Sequence, residues 1–170
     1  QNQLNVVVFN FVDMLSHARM DVDLIKELAE DEKSYRSVIA SWFENSTMLD
    51  MIKYLSAKNI PIYITTDHGT IKINKPIKIV GDKNINANLR YKVGRTMDYP
   101  ETQVFEIKNP EDIFLPKEGV THRFIFAKES DFFAYPNNYN QYVNYYKNTF
   151  QHGGISLEEM LIPFIKMVPK

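Results

Sequence analysis

The first stretch of the chain, NVVVFNFV (5–12), is almost continuously apolar and rich in β-branched residues. That is the pattern of a strand buried on both faces. The period then changes. LIKELAED (24–31) and SYRSVIASWFENS (34–46) carry their apolar residues at helical spacing, with Val38, Ile39, Trp42 and Phe43 on one face. Ser46 or Thr47 is placed to cap a further helix over 48–59, and Asn59 to stop it. IPIYITTDHG (60–69) returns to a strand, with Gly69 turning the chain after it. Strand, helices and strand over these lengths predict a crossover connection in a mostly parallel sheet. Asp13 and Asp67 then fall at strand ends, where such sheets gather their ligands.

From about 70 to 130 the pattern shortens. TIKINKPIKIVG, NLRYKV, TQVFEI and THRFIFAK alternate and are split by Pro, Gly and Asn, which predicts a β-rich insertion. The aromatic stretch NYNQYVNYYKNTF (138–150) fits helix and strand equally well. In HGGISLEEMLIPFIKMV (152–168), a Gly-Gly turn precedes Ser156, and Glu159 follows at capping-box spacing for a short helix. Pro163 ends that helix ahead of a final apolar strand.

Composition narrows the chemistry. A 170-residue chain can build one domain with a real core, and 44% hydrophobic with 24% charged residues is ordinary for a globular protein. Its 20 basic and 21 acidic residues give neither a nucleic-acid footprint nor a membrane-surface patch. No apolar run reaches the roughly 18–20 residues of a spanning helix, so no membrane partner and a cytoplasmic location are expected. With no cysteine, any metal site must use His and carboxylate ligands. The abrupt start in core-like sequence, without Met, reads as a piece of a longer protein.

The four histidines carry the chemical signal. His17 follows Asp13 by four residues, His68 follows Asp67, and His152 precedes Gly153-Gly154. His122 lies in THRFIF. Each has a plain structural alternative: a helix-start carboxylate with a surface histidine, an Asp-Gly turn, a loop whose glycines serve the backbone. Together they point to a His/carboxylate centre for a zinc-like ion. Asp67 and His68 share an ion only where the strand has broken into a turn, because alternate side chains of a strand point to opposite faces. Basic residues of the middle region, Lys72, Arg90, Arg95 and Arg123, are candidates to meet phosphate, with Arg123 beside His122 the best placed. Solvated surface is the simpler role for all of them.

Asp-x-x-x-His, then Asp-His-Gly, then His-Gly-Gly-x-Ser-x-x-Glu resembles the motif order of the alkaline phosphatase superfamily. THRFIFAKESDFFAYPNNYNQYVNYYKNTFQHGGISLEEMLIPF resembles the end of its PglZ branch, as in Bacteroidetes response regulators of the PorX type. The resemblance implies an α/β, alkaline-phosphatase-like fold: a mostly parallel sheet with flanking helices and a β-rich insertion, residues 1–170 forming the C-terminal part of one domain. It implies a metal-dependent phosphodiesterase or phosphatase acting on phosphate esters, nucleotides among them. Asp13, His17 and His152 would hold one divalent ion, zinc above all, and Asp67 with His68 a second. His122 and Arg123 would contact substrate. The family's nucleophile and one further metal-binding Asp have no match in this chain, so at most one ion and no turnover are expected of it alone. A receiver domain upstream, a sensor kinase and a homodimer are the partners implied. A non-catalytic signalling module and a structural metal site are the competing readings.

Overall fold

The computed structural model of the chain describes residues 4–21, 27, 31–81, 85–116, 119 and 121–169, the side chains of 17–21 excepted. It divides into two units, residues 1–65 with 164–170 and residues 66–163.

In the first unit, α1 (Phe11–Asp21), α2 (Glu32–Glu44) and α3 (Thr47–Ala57) precede β1 (Ile62–Thr65), which pairs with the final strand β11 (Phe164–Met167). The helix signals act locally as read. Asp31 caps α2 by accepting from the Ser34 amide at 2.7 Å. Ser46 caps α3 by accepting from Leu49. Asn59, at φ 58°, takes the left-handed conformation just beyond α3. Tyr35 is buried on α2, with Val38, Ile39, Trp42 and Phe43 half-buried beside it. Trp42 stacks on Phe11 at 4.4 Å between ring centroids, and the Tyr35 hydroxyl donates to the Val12 carbonyl. The predicted helix over 24–31 lies largely outside the described residues.

The second unit holds nine strands and two α-helices among the described residues. They are β2 (Ile71–Lys72), β3 (Lys75–Lys78), β4 (Val80–Gly81), β5 (Tyr91–Gly94), β6 (Met97–Asp98), β7 (Val104–Ile107), β8 (Arg123–Ala127), β9 (Asp131–Ala134) and β10 (Phe150–Gln151), with α4 (Tyr139–Tyr146) and α5 (Leu157–Met160). Its core has two parts. Ile77, Ile79, Val104, Ile125, Ala127 and Phe133 form one, and Ile73, Leu89, Phe132 and Ala134 the other. Tyr139, Tyr142, Val143 and Tyr146 of α4 pack on the second. Their i, i+3, i+4, i+7 spacing resolves the ambiguous aromatic stretch as helix.

The expected mostly parallel sheet is not what forms. Among the described residues five small sheets occur, and only β3–β9 is parallel; β1–β11, β2–β10, β4–β6 and the three-stranded β5–β8–β7 are antiparallel. The proposed first strand explains the difference. Residues 4–10 form no strand, and Val6, Val7 and Val8 are exposed by 77, 58 and 75%. A β-branched run becomes a strand only where a ladder and a buried face receive it. Without either, the helix takes over from Phe11, its first bond running from the Met14 amide to the Asn10 carbonyl. β1 therefore has no parallel crossover partner and pairs antiparallel with β11 instead. Among the described residues, no helix is long and apolar enough to cross a membrane.

Candidate metal centre

Asp13 lies in the first turn of α1, where a carboxylate suits the positive end of the helix, and it is exposed. It stands on a helix, not at a strand end. His17 is one turn further along α1, and its side chain lies outside the described residues.

Asp67 and His68 follow β1, which stops at Thr65, so the break the sequence required is present. The Asp67 carboxylate accepts from the His68 amide at 3.1 Å, and the Thr66 hydroxyl donates to the His68 carbonyl at 3.1 Å. This local turn brings Asp67 Oδ1 to 3.8 Å from His68 Nε2. A hydrogen bond from its own backbone, then the adjacent imidazole, holds the Asp67 carboxyl below its ordinary value. It is thus deprotonated at neutral pH. His68 Nδ1 lies 3.1 Å from the Gly69 carbonyl. A carbonyl only accepts, so the neutral ring carries its proton on Nδ1 and presents the Nε2 lone pair. This is the second-shell arrangement usual for a metal-binding histidine.

His152 comes from the other loop. Its ring stacks on His68 with centroids 3.8 Å apart and planes 9° from parallel, and a ring nitrogen of each lies within 4.8 Å of the other. An imidazole lone pair lies in the ring plane, and zinc–nitrogen bonds are only about 2.0–2.1 Å long. A single ion between two stacked rings would stand well out of both planes.

The His152 loop is held from beneath by side chains. Glu159 on α5 is 1% exposed and Arg90 wholly buried; Arg90 Nε and Nη2 donate to the two carboxylate oxygens at 2.9 Å each. The same oxygens accept from the Gly154 amide at 2.8 Å and the Ser156 amide at 3.2 Å, the second being the arm of the capping box foreseen from sequence. Burial alone would raise the Glu159 carboxyl, but Arg90 and the two loop groups more than offset it and hold it below its ordinary value. Arg90 is thereby spent on Glu159 and is no phosphate contact.

Of the other basic candidates, Lys72 stands on β2 in register with Phe150, two residues before His152. Arg123 Nη1 donates to Glu106 at 3.0 Å, and Arg95 Nε donates to His122 Nε2 at 3.0 Å. Sequence reasoning read Glu159 only as a helix cap and missed its Arg90 partner. The one available clue was a capping glutamate beside a glycine pair.

The chain matches the BREX system PglZ alkaline phosphatase-like domain over residues 1–167. It belongs to that family. No curated protein matches the chain. Among the described residues of this PglZ domain, the candidate metal ligands are one aspartate, Asp13 of the first unit, and two histidines, His68 and His152 of the second. The two imidazoles of the second unit, in a chain without cysteine, are donors of the kind a zinc-like ion accepts.

Proposed function

We propose that this PglZ domain serves a metal-dependent phosphohydrolase acting on phosphate esters, with phosphodiesters the favoured class. The observation that carries the reading is the stacked His68–His152 pair, with His68 Nε2 left to a ligand by the Gly69 carbonyl. The motif order assigns one ion to Asp13, His17 and His152, and a second to Asp67 and His68. When bound, the two divalent ions would polarise the phosphoryl group and balance charge on the attacking and leaving oxygens.

The residues of the chain prepare for that. Asp67 is deprotonated and faces His68. The His152 loop is fixed by Glu159 before any ion arrives, and preorganisation of this kind lowers the cost of binding. His122 and Arg123 are proposed substrate contacts, and a receiver domain upstream the control over the site. The chain alone holds one ion, at His152, because Asp67 and His68 supply only two ligands.

The test is hydrolysis of an aryl phosphodiester by the intact protein with added zinc, alongside His152→Ala and elemental analysis. Zinc-dependent turnover lost in His152→Ala is expected. Neither turnover nor bound metal in the wild type would end the catalytic reading.

A further inference from the structure

The two histidine loops converge on one residue. Glu159 takes the Gly154 and Ser156 amides on its carboxylate, while its backbone carbonyl accepts from the Gly69 amide at 2.8 Å. One buried glutamate thus binds the backbone next to His152 and the backbone next to His68. Asn88 adds a contact to His152 itself. Its Nδ2 donates to the His152 carbonyl at 3.3 Å, while its Oδ1 accepts from the Arg90 amide at 2.7 Å and the Tyr91 amide at 3.2 Å. Arg90 closes the set, gripping Glu159 through two nitrogens and donating through Nη1 to the Asp131 carbonyl.

Three glycines mark the points of contact. A Cβ on Gly69 would lie 2.0 Å from the Glu158 carbonyl oxygen, and one on Gly154 would lie 2.6 Å from Glu159 Oε2. One on Gly153, at φ 101°, would lie 2.6 Å from Asn88 Nδ2. The His152 loop presses on Asn88 and Glu159, and Gly69 on the backbone just before Glu159, more closely than a side chain at these positions would allow.

Stability does not account for the set. A buried ion pair roughly breaks even against apolar residues of the same volume, because desolvation cancels most of the attraction. What such a pair supplies is a fixed geometry for the groups bonded to it. We infer that Arg90, Glu159 and Asn88 are positioning residues for the metal centre, setting the two histidine loops at the spacing the ions require. This rests on the reading that His152 holds an ion.

The test compares zinc affinity by calorimetry, and the ligand-field spectrum of the cobalt(II) form, with the melting temperature of the metal-free chain. Asn88→Asp keeps both acceptor bonds, removes the donor to His152 and sets a charged oxygen against the His152 carbonyl. It should weaken zinc about 10- to 100-fold, the range usual when a group that orients a metal ligand is lost, and shift the cobalt spectrum, while lowering the metal-free melting temperature less than Glu159→Gln does. The double variant Arg90→Met/Glu159→Leu separates the two roles. We expect it to recover most of the stability lost in Glu159→Gln yet stay at least tenfold weaker for zinc. Zinc affinity and cobalt spectrum unchanged in Asn88→Asp would overturn the inference, as would affinity restored together with stability in the double variant. A wild type that binds no zinc would instead remove the metal reading beneath it.

Discussion

The loops that carry His68 and His152 sit side by side but are held in opposite ways. The Asp67-His68-Gly69 loop is held by the side chains of Thr66 and Asp67 and by the Gly69 amide on the Glu159 carbonyl, and Asp67 is 88% exposed. The His152-Gly153-Gly154 loop rests on a buried guanidinium, carboxylate and amide contributed from outside it. The buried support lies mostly under the second loop, so the two loops should differ in what their loss costs the fold.

The largest effect should come from breaking the buried support. Arg90→Ala leaves Glu159 charged and unpaired in the interior, and should cost about 3–5 kcal/mol in chemical denaturation. A cost below about 1 kcal/mol would mean that the His152 loop is no better anchored than its neighbour. Gly69→Ala tests the one contact that the His68 loop makes with the same support. Its Cβ would meet the Glu158 carbonyl at 2.0 Å, so a loss of about 1–3 kcal/mol is expected. Wild-type stability would show that this loop does not press on Glu159 at all.

Acid separates the two loops further. The Glu159 carboxyl titrates below its ordinary value in the folded state. Its contribution is therefore complete above the unfolded value of about 4.3 and is lost as the pH falls through the folded value. Glu159→Gln should flatten the stability curve below about pH 4.5, and parallel curves for the two proteins would contradict the assignment. The smallest change belongs to Asp67→Asn. At so exposed a position it should shift metal-free stability by no more than about 0.5 kcal/mol.

Local signals were the legible ones. The Ser46 cap, the Asn59 stop, the capping-box arm from Glu159 and the apolar face of α2 depend on residues within a turn of each other, and each forms where the spacing placed it. The β-rich character of the middle region was readable in the same way. What failed depended on distant partners. The Val6–Val8 run looks like a central strand, but a strand is defined by a ladder that the segment cannot specify by itself. The parallel sheet inferred from it failed for the same reason. Arg90 reads as a solvated charge because most charges are, yet it is fully buried. Arg90 is buried because its partner lies 69 positions away, a separation no periodicity reports. The histidine loops were recognised by residue type, whereas the stacking of their rings comes only from the fold.

The central claim is that the two stacked histidines serve different ions, with His152 on the prearranged side. Calorimetric titration of the chain with zinc, set beside His152→Ala and His68→Ala, tests it most directly. One equivalent should bind to the wild type, vanish in His152→Ala and persist in His68→Ala. Loss of that equivalent in both variants alike would mean a single shared ion, and its survival in His152→Ala would place the metal elsewhere.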